Sequence, residues 1–71
     1  MPTYPEIENR FTYHPPTGPV QVKKFEDLRA KAKELAILIF ELCPDSRERA
    51  VALTKLEESN MWANAAIARN E

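Results

Sequence analysis

The dipeptide Cys43-Pro44 constrains this chain most, because it separates two stretches of helical periodicity. Proline disfavours helical geometry in the residue before it and has no N–H to offer inside a helix. A helix arriving from the N-terminal side therefore ends near residue 43. Upstream, Phe25, Leu28, Ala32, Leu35, Ile39 and Leu42 recur at three- and four-residue steps and share one helical face. Downstream, Asp45-Ser46-Arg47-Glu48 restarts the chain. Asp45 is placed to cap a new helix and Glu48 to reach back, as in a capping box. Val51, Leu53, Leu56, Met61, Trp62 and Ile67 give that second helix its apolar residues. The signals predict one helix over about 23–43 and another over about 46–69. With so short a link the two lie antiparallel, as a hairpin over residues 23–71.

Residues 1–22 differ in kind: they hold five of the six prolines and the only glycine. Pro15, Pro16 and Pro19 around Gly18 favour extended and turn conformations. A short helical turn is expected over Glu6–Phe11, after Pro5. The fold class that follows is all-α: an antiparallel two-helix hairpin with a proline-rich N-terminal arm.

Such a hairpin leaves its helices with one neighbour each, yet LAILIF in the first helix is apolar nearly all round. Leaving Leu38, Phe40 and Met61 in water forfeits about 1.5–3 kcal/mol per side chain. Alanines at 63, 65, 66 and 68 leave room for close helix approach. A chain of 71 residues is also near the size at which one copy barely buries enough surface to fold. The expectation is a homo-oligomeric helical bundle; the alternative is a monomer whose arm covers the apolar face.

Several function classes fall away. A net charge of −1 argues against a binder of DNA or RNA polymer. No apolar run reaches the ~20 residues needed to cross a bilayer, so no membrane role is expected. The start, MPTYPEIENR, has neither the basic nor the apolar region of a signal peptide. Cys43 is the only cysteine, which excludes an intrachain disulfide and a cysteine zinc cluster. A buried, reduced thiol in a cytoplasmic protein is the expectation.

The supply of catalytic groups is thin. His14 is the only histidine, and the motifs HExxH, GxSxG and the phosphate-binding glycine loop do not occur. Glu57 and Glu58 are adjacent on a helix and diverge by about 100°, too far to act together on one bond. No catalytic residue, metal site or cofactor is expected. Binding is better provided for. Arg10-Phe11-Thr12-Tyr13-His14 carries two aromatic rings that could stack on a nucleobase or pin the arm to the hairpin. Lys24, Arg29, Lys31 and Lys33 cluster early in the first helix; Arg29 and Lys33 share a face suited to a phosphodiester. For any one of them an ordinary solvated face balanced by Glu26, Asp27 and Glu34 is the reading to prefer. Asn60 and Asn64 share a face and could order a seam or line a pocket. Arg69 suits the negative end of the second helix.

RFTYHPP, the R-x-K-A-K-x-L-A run from Arg29 to Ala36, CPDSRE, and ALTKLEE followed by MWANAAIARNE resemble the phage anti-CBASS sponge family. Its helical-hairpin domain is shared with anti-Thoeris sponges. The resemblance implies a protein that is not an enzyme but a compact homohexamer. It implies capture of cyclic oligonucleotide messengers without cleavage, which blocks CBASS immune signalling in the host cytoplasm. Cyclic dinucleotides such as cGAMP are expected between paired protomers, and in some members cyclic trinucleotides occupy separate pockets. Carried onto this chain, Tyr13 would stack on a base, and Arg29 with Lys33 or Lys24 would meet phosphate. Thr54 and Arg69 would line a second pocket. An oligomeric helical adaptor that binds a host protein is the competing class.

Overall fold

The computed structural model describes residues 3–71; Met1 and Pro2, with which the expected arm begins, lie outside it. The described residues form three helices and no strand: α1 (Tyr4–Phe11), α2 (Pro19–Leu42) and α3 (Arg47–Asn70). Helix α1 starts on a capping box. The Glu6 N–H donates to Thr3 Oγ1 at 3.3 Å, and the Thr3 N–H donates to Glu6 Oε2 at 3.0 Å. Pro5 sits in its first turn, where a missing N–H breaks no bond.

Helix α2 begins at Pro19, four residues before the expected Lys23. Gly18 explains the early start. Its φ of 154° and ψ of −175° belong to a region that only glycine enters freely, and the chain bends there as it enters the helix. Pro19 then supplies a φ already suited to a first helical turn. The Thr17 N–H donates to Gln21 Oε1 at 2.9 Å, tying the segment before the helix to its first turn. Gln21, 5% exposed, is the one buried side chain among the described residues.

At the other end Cys43 caps α2 in an extended conformation, its N–H donating to Ile39 O at 3.0 Å. The expectation of a buried thiol is corrected: Cys43 is exposed. The turn forced by Pro44 carries it to the hairpin tip, away from the helix contact. The cap of α3 is Ser46 rather than Asp45. Its Oγ accepts from the Arg49 N–H at 3.1 Å and donates to Pro44 O at 2.9 Å. Three residues after Ser46 stands Arg49, not Glu48, so no capping box forms. Arg49 locks the turn instead. Its Nη1 donates to Phe40 O at 3.2 Å and Cys43 O at 3.3 Å, and Nη2 to Asp45 Oδ1 at 3.1 Å. The guanidinium carbon also lies 4.5 Å from the Phe40 ring centroid. The open end of the hairpin is tied by Lys24 Nζ to the Glu71 carboxylate at 2.8 Å.

Between these ends α2 and α3 pack along their lengths, the only pair of helices with an extensive contact. The half-buried seam on α2 runs through Phe25, Leu28, Ala32, Ala36 and Ile39. Leu35 and Leu42, expected on that stripe, stand off it at 46% and 74% exposed. At 3.6 residues per turn the stripe passes from Ala32 to Ala36, where a methyl group admits the neighbouring helix. Leu53, Leu56, Asn60, Asn64 and Ile67 answer from α3.

The result is a plate, 45 × 34 × 13 Å. Its thickness is close to one helix with its side chains, about 10–12 Å. The radius of gyration, 15.3 Å, exceeds the about 11 Å of a compact chain of this length. The accessible surface, 5912 Å², exceeds the about 4,500 Å² of a compact monomer of this mass. No apolar side chain among the described residues is buried. The plate has no interior.

Candidate functional site

The segment between α1 and α2, residues 12–18, carries the ring that the sequence singles out. Tyr13 is 82% exposed and Phe11 84%, so neither anchors the arm within one protomer. Fixation comes from His14, whose Nε2–H donates to Asn9 O at 2.7 Å. Pro15 and Pro16 follow, and Pro16 enters the wall of a groove of about 430 Å³. Here the arm, α2 and α3 meet: Pro16 faces Val22, Phe25, Arg29, Asn64 and Ala65 around one opening. Asn64 Oδ1 is shielded there and meets no hydrogen-bond donor among the described residues.

Arg29 belongs to two grooves on the same side of the plate. The second, about 340 Å³, is lined by Arg29, Lys33, Leu53, Leu56, Glu57 and Asn60. Four-residue spacing puts Arg29 and Lys33 one turn apart, as the sequence implies. Neither is engaged in an ion pair among the described residues, whereas Lys31 is paired with Glu34 at 3.1 Å and Lys23 with Asp27 at 3.0 Å. Lys24 does not join them. At 100° per residue it lies about 140° around α2 from Arg29 and about 180° from Lys33, and Glu71 holds it. Within a protomer the two cations that share a groove are therefore Arg29 and Lys33.

The opposite side of the plate is leucine-rich. Leu35 and Leu38, 46% and 48% exposed, follow Leu28 and precede Leu42 at steps of three, four and seven along α2. A third region lies on the outer edge of α3. Arg69 stands over Trp62, its guanidinium carbon 6.0 Å from the ring centroid, beside a groove of about 390 Å³ lined also by Glu58, Met61 and Ala65. Thr54 is exposed one turn before Glu58 on the same stripe, and the groove stops short of it. The structure thus places Thr54 and Arg69 on one edge, well apart along the helix.

Sequence reasoning missed Gln21, Arg49 and the tie made by His14. Gln21 in the run PVQVKK has no periodic partner that would flag it. Arg49 reads as one more surface charge until the turn geometry is known. The position of a lone histidine beside Pro15 was the one available signal for the third.

No group of histidine, cysteine or acidic side chains among the described residues has metal-binding geometry. No helix among the described residues is long and apolar enough to cross a membrane. No curated protein and no solved structure matches the chain. The profile of the Acb2/Tad1 hairpin domain, by contrast, matches residues 3–68, which takes in the arm, both long helices and the turn between them. With nearly its whole length covered, the chain belongs to the Acb2/Tad1 hairpin-domain family, the anti-CBASS and anti-Thoeris sponges.

Proposed function

We infer that this protein captures cyclic oligonucleotide messengers of bacterial defence and holds them uncleaved, inside the infected host's cytoplasm, so that CBASS signalling stops. The segment before α2, up to Gly18, acts as the capturing arm, and residues 19–71 act as the assembling hairpin, four residues longer than the 23–71 expected from sequence. The observation that carries this reading is the Tyr13 ring, left free at 82% exposure on an arm that leads through Pro16 into the groove holding Arg29. An exposed aromatic ring on the arm, and in the groove that the arm enters an arginine outside the ion pairs of the described residues, suit a ligand that offers a base and a phosphate together. Stacking supplies roughly 1–3 kcal/mol per base, and arginine recognises phosphate with a planar pair of donors.

The capture site forms between copies. A protomer with about 1,400 Å² more surface than a compact monomer of its mass is supported as a building block, not as an end state. Two such protomers burying that excess against each other would reach about 2,800 Å² in total, the range of obligate interfaces. The family resemblance sets the count at six, three such pairs under closed symmetry, with dinucleotides such as cGAMP in the paired clefts. Tyr13 stacks on a base, Arg29 and Lys33 meet phosphate, and Lys24 serves only where another copy brings it to the cleft. Thr54 and Arg69 line the second pocket, for a cyclic trinucleotide, from different copies.

Sequestration has to outcompete a receptor, which demands a dissociation constant near nanomolar, about −12 kcal/mol. The test is calorimetric titration with 3′,3′-cGAMP, followed by denaturation and analysis of the released nucleotide. Tight binding with intact nucleotide supports capture. Cleaved product would make the protein a hydrolase. Absence of binding to cyclic di- and trinucleotides would leave the adaptor reading, favoured by the exposed leucines of α2.

A further inference from the structure

Two side chains that the proposed capture chemistry does not use converge on the strap that carries Tyr13. His14, half-buried beside that residue, donates from Nε2 to Asn9 O in α1 at 2.7 Å. The bond is short for an N–H···O contact, whose usual range is about 2.7–3.2 Å. At the other end Gln21, the one buried side chain among the described residues, accepts the Thr17 N–H at 2.9 Å. Between the two ties lie Pro15 and Pro16, whose φ angles are fixed by their rings. A segment with two stiff residues in the middle and a hydrogen bond near each end has few conformations left.

That rigidity has no evident use in holding the hairpin together. Arg49 locks the turn between α2 and α3, and Lys24 with Glu71 ties their open end. The strap contributes to neither contact. What it does control is where an exposed ring sits. A free tyrosine on a mobile arm would lose about 1–2 kcal/mol per backbone residue on being ordered by a ligand. A ring held in place before the ligand arrives loses far less, and the difference appears as affinity.

We propose that His14 and Gln21 are positioning residues that clamp the residue 12–18 strap from both ends and hold Tyr13 ready for the ligand. The proposal rests on the reading of Tyr13 as the stacking residue. Its own content is geometric. The donor must sit at the reach of Nε2, so glutamine, whose amide nitrogen extends comparably far, can replace His14, while the shorter asparagine cannot. Gln21 must supply an acceptor, so leucine of similar volume keeps the packing and releases Thr17.

The experiment titrates 3′,3′-cGAMP into the wild-type full chain and into His14→Ala, His14→Asn, His14→Gln and Gln21→Leu. Sedimentation checks each assembly, and amide hydrogen exchange follows Thr17 without ligand. Loss of one such tie corresponds to about tenfold weaker binding, from the usual net worth of a hydrogen bond. The expected pattern is about tenfold loss for His14→Ala and His14→Asn, near-complete recovery for His14→Gln, and wild-type assembly throughout. Gln21→Leu should accelerate Thr17 exchange and weaken binding by a similar factor. A merely structural role for His14 would not separate glutamine from asparagine. Equal binding by wild type, His14→Ala and Gln21→Leu overturns the clamp while leaving Tyr13 stacking in place. If the wild type itself binds no cyclic dinucleotide, the stacking reading fails and the clamp falls with it.

Discussion

Replacing Leu35 and Leu38 together by serine should separate the copies of this protein. Both side chains lie on the leucine-rich side of the plate, at 46% and 48% exposed. Half of each is already removed from water within the protomer, so covering the rest yields about 1 kcal/mol per leucine, half the usual gain for full burial. The double substitution thus removes about 2 kcal/mol per copy, and a two-fold seam uses the patch twice. About 4 kcal/mol corresponds to a roughly thousandfold weaker association. Sedimentation equilibrium over a dilution series reads this directly, with circular dichroism recorded on the same samples. Because no apolar side chain of the lone protomer is buried, helicity should fall as the particles dissociate, and the melting temperature should depend on concentration. Undiminished assembly of the variant at the wild-type concentration would show that this side of the plate is not the seam. A wild-type chain that stays monomeric and fully helical at micromolar concentration would refute the argument from surface area altogether.

Other substitutions probe separate parts of the molecule. Tyr13→Ala should weaken capture of a cyclic dinucleotide by about 5- to 150-fold at unchanged particle mass, while Tyr13→Phe keeps most of it, since stacking uses the ring; calorimetry decides. Arg29→Ala should weaken binding and also flatten its dependence on salt concentration, because a phosphate contact is lost. Arg49→Met preserves the aliphatic stem of a side chain only 17% exposed but breaks its bonds to two carbonyls and its contact with Phe40. The ion pair with Asp45, itself 95% exposed, contributes little. A loss of about 2–4 kcal/mol in denaturant titration is expected from the carbonyl bonds and the ring contact. Gly18→Ala should cost about 1–3 kcal/mol through backbone strain alone, since open space surrounds the position where the methyl would sit. Thermal melts of that variant should show the loss.

The hairpin was legible because its signals are local: Cys43-Pro44 ends one helix, and periodicity on either side supplies two. Three details were not. The start of α2 depended on the φ of Gly18, which a cluster of prolines only surrounds. The cap fell to Ser46 over Asp45 because Arg49 draws the Asp45 carboxylate away, a contact across the turn. The seam chose Ala36 over Leu35 because the three-four spacing fits either residue, and only the approach of α3 decides between a large side chain and a small one. The candidate site was legible in residue type more than in arrangement. The Arg29–Lys33 pair follows from sequence, whereas Tyr13 reads there as a pin for the arm as readily as a free ring and only the fold shows it exposed. Lys24 looks equivalent to Arg29 until the turn of the helix is followed and Glu71 is found beside it. The strap escaped notice because its bonds join residues four and five apart, through a backbone carbonyl and a backbone N–H.

A plate one helix thick has consequences for inheritance as well as for chemistry. Where each copy completes its neighbour, a crippled version made in the same cell would be incorporated alongside sound ones and spoil the clefts they share. In the proposed hexamer, with half the supply defective, only about one particle in sixty-four would be wholly sound if copies mix at random. Interference of that kind is what the proposed assembly, with its clefts shared between copies, predicts.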